Sequence, residues 1–148
     1  MVSEIRLVPL SVDHVPQVLA LGRRLYDLSV KPYTSWSLSA VAHHLDGVES
    51  ACWVALAGDR VAGYVLGSMG FDQRADWGNL EWIATDPDFQ GRGVGGRLAE
   101  ACCRTLEEAG ATAVVTDVES RNEASAALMR RHGFVEGATV TLFVREPR

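Results

Sequence analysis

Residues 85–96 read TDPDFQGRGVGG, and four of the last six are glycine: Gly91, Gly93, Gly95 and Gly96. Glycine lets a backbone take positive φ and approach a ligand with no Cβ in the way. At the mouth of a helix, such a run aims amide N–H groups and the positive end of the dipole at one point. That is the chemistry of diphosphate binding. Two spacings are superimposed here. Gly91, Gly93 and Gly96 spell the dinucleotide pattern G-x-G-x-x-G, and Asp117, 21 residues beyond Gly96, stands near the position of a ribose-binding acid. Gln90, Gly93 and Gly95 spell Q-x-x-G-x-G instead. Against the first, five residues, DPDFQ, separate Thr85 from Gly91, and Pro87 makes them a turn. Only 31 residues follow Asp117, too few to complete a doubly wound sheet. A glycine-rich helix entry with no ligand is the remaining alternative. It leaves uncompensated a cost of roughly 1 kcal/mol for each glycine inside the helix.

The elements that must position this loop can be read from periodicity. IRLVPL alternates as a strand, and Val15, Val18, Leu21, Gly22, Leu25 and Leu28 give the next segment a helical apolar face. VKPYTSWS interrupts it as a loop, and LSAVAHHL is a short second helix. ACWVALA and RVAGYVLGSMGF form a hairpin about Gly58-Asp59, DQRAD is a polar turn, and WGNLEWIAT is a strand ending at the glycine run. Gly93 to Ala109 is a helix stopped by Gly110; ATAVVTDVE is a strand; Asn122 to His132 is a helix; GFVEGATVTLFVRE supplies one or two final strands. The expected order is β-α-α-β-β-β-α-β-α-β, a mixed α/β sheet whose 79–119 piece is a right-handed parallel crossover.

Over most of the chain, and most densely over residues 80–134, the sequence resembles the GNAT superfamily of acyl-CoA-dependent N-acyltransferases. IATDPDFQGRGVGGRL is similar to that family's central motif, with Gln90, Gly93 and Gly95 at its fixed positions, and NEASAALMRRHGF is similar to its second motif. The nearest branch by motif is that of the ribosomal-protein N-terminal acetyltransferases. The resemblance implies acetyl-CoA as co-substrate and no metal. It implies that Ile83, Ala84 and Thr85 pair their backbone with the pantetheine arm, and that this strand splays from VVTDVE. The loop residues Gln90, Gly91, Arg92, Gly93, Val94, Gly95 and Gly96 then hold the diphosphate; Arg92 and Arg97 either add charge there or stand as solvated surface side chains. Asn122 is expected both to cap its helix and to contact the cofactor.

A thioester is already activated, so an amine attacks it directly once it has lost a proton; an alkyl ammonium has a pKa near ~10. The required base is a carboxylate. Glu81 is the first candidate, because it shares strand parity with Ile83 and Thr85. Asp117, five residues before Asn122, and Glu119 on the same face are the others. The family's usual tyrosine acid is replaced by Met129, which cannot donate a proton. Tyr26, Tyr33, Tyr64 or water must substitute, or the chain binds acyl-CoA without turnover, as a sensor or a non-catalytic partner subunit. The leading expectation is an N-acetyltransferase acting on a primary amine of a small molecule or peptide.

His43 and His44, adjacent on a short helix, face different ways and are expected to be surface or packing residues. His132 is expected to interact with its helix dipole. Trp36, Trp77 and Trp82 are candidate walls of an acceptor pocket, and Trp53 a core residue. Composition bounds the rest. A chain of 148 residues suits one domain, and a charge of −5 disfavours nucleic acid. No apolar run reaches the ~18 residues of a membrane span. Three cysteines without C-x-x-C spacing argue against disulfides and zinc and for a reducing cytoplasm. A homodimer is compatible, since final strands in such folds swap or pair across a dimer.

Overall fold

Alternating apolar residues make Ile5–Pro9 a strand, β1, and a short turn leads from it to α1 (Val15–Leu25) and α2 (Leu38–Asp46). Two tight hairpins follow, β2 (Trp53–Ala57) to β3 (Arg60–Phe71) to β4 (Arg74–Thr85), turning at Gly58 and at Asp72, both with positive φ. Next come α3 (Val94–Glu108), β5 (Ala113–Val115) and α4 (Glu123–Arg131). This computed structural model describes residues 4–27, 35–46 and 50–147. Among these, no helix is long and apolar enough to cross a membrane.

The five strands lie in the order β1-β2-β3-β4-β5, antiparallel except for the parallel β4–β5 pair. That is the expected mixed α/β sheet. It is not the doubly wound parallel sheet that a dinucleotide fingerprint would need. One core lies beneath α1 and α2, built on Val18, Leu21, Trp36, Val41, Tyr64 and Leu66; the other lies beneath α3, built on Val65, Leu80, Leu98, Cys102 and Leu106.

The expected final strand is a correction. Residues 135–147 form no helix or strand, and Val135, Val140, Phe143 and Val144 are exposed. The alternating pattern of ATVTLFV is that of a strand, but a strand needs a neighbour to bond its backbone, and periodicity cannot supply one.

The α1–α2 side closes over an aromatic cluster. Trp36 stacks on Tyr64 with centroids 5.5 Å apart and meets Tyr26 and Trp82 at their edges, 5.0 Å away in each case. Its indole N–H donates to the Leu19 carbonyl at 2.9 Å, which presses the ring onto Gly22. A Cβ on Gly22 would enter the Trp36 ring, so Gly22→Ala should destabilise the fold by about 2 kcal/mol, read as a lower urea midpoint.

Candidate active site

The glycine run is held by the turn before it. Asp86 is buried; its carboxylate accepts the Asp88 amide at 2.9 Å and the Arg60 guanidinium at 3.0 Å. Burial alone would raise its pKa, but those two donors outweigh burial and hold it below the usual carboxylate value. The Asp86 amide donates to the Ala62 carbonyl at 2.8 Å, tying the turn to β3.

Each glycine then has its own reason. Gly91 (φ 80°) and Gly93 (φ 73°) are left-handed, and nothing lies within 4 Å of where their Cβ atoms would be. Gly95 and Gly96 are helical and tightly packed. A Cβ on Gly95 would meet Leu128 at 3.3 Å, and one on Gly96 would meet His132 Nε2 at 2.6 Å. The first pair shapes the loop, and the second lets α4 approach the first turn of α3. The open side of Gly91 and Gly93 is a cleft of about 420 Å³. Every expected cofactor contact except Arg92, Arg97 and Asn122 lines it: Ile83, Ala84 and Thr85 of β4, and Gln90, Gly91, Gly93, Val94, Gly95 and Gly96 of the glycine run. The amides of Val94, Gly95 and Gly96 open α3 and have no i−4 carbonyl within the helix. The cleft therefore fits an anion at the mouth of α3. Among the described residues no cluster of His, Cys, Asp or Glu could hold a metal ion.

Besides Ala124 and Ser125 of the first turn of α4, four larger contributors were not singled out from sequence as ligand contacts. Phe89, Leu128, Arg131 and His132 also line the cleft. Arg131 and His132 close α4 and bring a guanidinium and an imidazole to the glycine loop. His132 Nδ1 is fixed by Glu100 Oε1 at 2.9 Å, so it does more than face its own helix dipole. The spacing of RRH to the loop, about 40 residues, is invisible without the α3–α4 packing. Conversely, Arg92 lies over the Phe89 ring at 5.4 Å, and Arg97 donates to the Ile5 carbonyl at 3.0 Å. Asn122 caps α4, accepting the Ser125 amide at 3.1 Å.

The long wall is an open strand edge. β4 and β5 pair only at Trp77/Ala113, Gly78/Val114 and Asn79/Val115. Thr116 Oγ1 then donates to the Leu80 carbonyl at 2.9 Å, and β5 is over, whereas β4 runs on to Thr85. Because the Asp86 amide faces β3, strand alternation points the Ile83 and Thr85 amides the other way, into the gap.

Glu81 stands where the two strands part, and here the expected parity fails. Leu66 pairs with Trp82 but Gly67 pairs with Leu80, so Glu81 is the extra residue of a β-bulge. Beyond it the alternation is shifted by one. Ile83 packs on the α3 core and Thr85 Oγ1 approaches Gly95, while Glu81 reaches toward α2. There its Oε2 meets His44 Nε2 at 3.1 Å. The His44 hydrogen bond outweighs partial burial and lowers the Glu81 pKa. Glu119 is engaged by the Arg121 side chain at 2.9 Å and its amide at 3.0 Å. Asp117 lies exposed beyond the end of β5.

Of the candidate acids, Tyr64 donates to the Tyr26 hydroxyl at 2.8 Å, and burial raises both phenols far above their ordinary value. Tyr33 lies outside the described residues. Met129 is buried in the α3 core. Trp36 is core rather than pocket wall; Trp82 joins the same cluster; Trp77 lies between Phe71 and Arg74 at the far hairpin. Trp53 packs on the α3 core and donates to Thr105 Oγ1 at 3.0 Å.

Comparison with known proteins gives three findings. A profile of the acetyltransferase (GNAT) family matches residues 22–134. The ribosomal protein bS18 alanine N-acetyltransferase of Salmonella typhimurium is 36% identical over 80 residues, which is 54% of this chain and 51% of that protein, so the match spans about half the relative's length. Among solved structures, the aminoglycoside N-acetyltransferase AAC(6')-Iy in complex with CoA superposes with a TM-score of 0.81 at 21% identity, covering 98% of this chain and 97% of that one. The Escherichia coli ribosomal-protein-S18-alanine N-acetyltransferase superposes at 0.75 and 23% identity, covering 91% and 80%.

Proposed function

We propose, from the premise that this chain belongs to the acetyltransferase (GNAT) family, that it is an acetyl-CoA-dependent N-acetyltransferase acting on a primary amine. One observation carries the reading: a free β4 edge leads directly to two left-handed glycines that open into the cleft at the mouth of α3. The Ile83 and Thr85 amides can pair with an extended amide-bearing arm, as a neighbouring strand would. The amides of residues 93–96, with Arg131 and His132, suit a diphosphate. CoA supplies an activated thioester. The protein's own contribution is to hold the thioester in the gap, offer a main-chain N–H to the developing oxyanion and take a proton from the ammonium. Glu81 is the proposed base, with Asp117 and Glu119 as the other carboxylates near the gap. With Met129 apolar and the Tyr26 and Tyr64 hydroxyls bonded to each other, the leaving thiolate takes its proton from water or from Tyr33.

The acceptor is the finer part of the reading. The relatives' names point to amines on an N-terminal alanine and on aminoglycosides, and the acidic set beside the gap suits a cation. Thiol release from acetyl-CoA, measured with an alanine-initiated peptide and with sisomicin, tests this. Turnover of either supports it. Tight acetyl-CoA binding with no turnover of any amine would favour the second reading, a non-catalytic acyl-CoA sensor or partner subunit, which Met129 keeps in view. We place the enzyme in the cytoplasm, where acetyl-CoA coexists with the reducing conditions that suit three free cysteines.

We assign the exposed tail to a second copy of the chain. Residues 139–146 carry a strand pattern and expose Val140, Leu142, Phe143 and Val144, and β5 is the last strand of the sheet, so its outer edge is open. Light scattering should report twice the 16.0 kDa chain mass, and truncation after Gly137 should halve it. A full-length monomer would refute the pairing.

A further inference from the structure

We propose that His44 is a positioning residue for acetyl transfer: from α2, its Nε2–H clamps one carboxylate oxygen of Glu81 at the β4 bulge and leaves the other oxygen to face the acceptor. This rests on the reading of Glu81 as the base.

Glu81 needs a clamp. As the extra residue of a bulge it has no cross-strand partner on β3, and its side chain remains 44% exposed. An exposed glutamate samples many rotamers, and a base must stay within hydrogen-bond reach of the proton it takes. His44 is suited to fix it, because its side chain is only 2% exposed and its ring is held by the packed α2 face. The bond uses Oε2 alone.

Packing does not account for this histidine. Its Nδ1 is buried and makes no hydrogen bond of normal geometry, although the Cys52 sulfur acts on the ring; Trp82 Nε1, next to Glu81 in sequence, is likewise buried without a well-formed bond. An apolar side chain would fill the space without stranding a polar atom. An ionised carboxylate oxygen can only accept, so Nε2 carries the hydrogen toward Glu81. The surroundings also favour charge on the pair. Burial disfavours an imidazolium, but the Cys52 sulfur and the Glu81 carboxylate outweigh it and raise the ring pKa to about 9. The groups facing the pair are His43 on α2, Cys52 ahead of β2, whose thiol donates to the Gly67 carbonyl at 3.4 Å, and Trp82 on β4. Among the described residues facing the pair, none is a second carboxylate. His44 therefore keeps Glu81 ionised to lower pH than an ordinary glutamate.

The test compares His44→Leu, which removes the donor, with His44→Gln, which keeps an N–H but no charge. Acetyl-CoA is used with the faster of the alanine-initiated peptide and sisomicin. His44→Leu should lower kcat about tenfold, leave KM for acetyl-CoA unchanged, and move the acid limb of the pH profile upward by about one pH unit. His44→Gln should recover most of kcat but not the limb. A His44→Leu enzyme with wild-type kcat and limb, while Glu81→Gln is inactive, overturns the clamp and leaves the base standing. A fully active Glu81→Gln enzyme overturns both. A second readout needs no turnover: the His44 Cε1–H resonance should titrate well above ordinary imidazole in the wild type and fall back in Glu81→Gln. The same midpoint in both proteins would refute the contact.

Discussion

Gly93→Val should lower acetyl-CoA affinity at least a hundredfold in calorimetry. The residue caps α3 at φ 73°, where a side chain costs roughly 1–2 kcal/mol and a β-branched one more. That strain alone would reduce stability without touching binding. The larger effect comes from direction. The space where its Cβ would go holds no protein atom and opens into the cleft, so valine methyls would stand where an anion meets the loop amides. Relaxing φ to relieve the strain would turn those amides away. A hundredfold loss is about 3 kcal/mol, more than the backbone term supplies. Gly110 provides the control. It ends the same helix with φ 101° and open space around it, but it lies outside the cleft. Gly110→Val should cost similar stability and leave affinity unchanged. If the two variants bound acetyl-CoA equally well, the loop would not be the anion cradle.

Glu81→Gln should lower kcat by on the order of 10²–10³ while the KM for acetyl-CoA stays within about twofold. Glutamine keeps the shape and an oxygen for the His44 contact, and loses only the ability to take a proton. The lowered pKa sets the sign of the pH dependence. Wild-type activity should hold at neutral pH and fall only below the usual glutamate range, and this acid limb should vanish in the variant. Glu119→Gln is the comparison. That carboxylate is already engaged twice by Arg121, and its loss should disturb the loop after β5 more than the proton transfer. A deeper fall in Asp117→Asn than in Glu81→Gln would move the base to the other side of the gap.

What was readable in the sequence is what depends on short range. The D-P turn, the four glycines and the apolar stripe of α3 lie within about 20 residues, and each obeys a local backbone rule, so the loop and its helix could be written down from periodicity and φ preference alone. The bulge could not. Parity counting assumes an unbroken ladder, and the register slip between Leu66 and Gly67 belongs to the pairing of two strands rather than to either one. It is this slip that turns Glu81 away from Ile83 and toward His44, 37 residues earlier. The side chains of Arg131 and His132 were hidden for a similar reason: they reach the loop through the close contact of two helices at Gly95 and Gly96. The last strand was misjudged in the opposite sense, since its residues have the pattern and lack a partner.

The three-residue pairing of β5 divides β4 into two thermodynamic regimes. From Trp77 to Asn79 the strand lies between β3 and β5, and its amides are expected to exchange only through larger-scale opening. From Ile83 to Thr85 it is an edge, and the outward amides are free to exchange through local fluctuation. A ligand that supplies the missing hydrogen bonds would convert this stretch from surface to interior. Slowed exchange at Ile83 and Thr85, with Asn79 indifferent, would then measure the association from the protein's side.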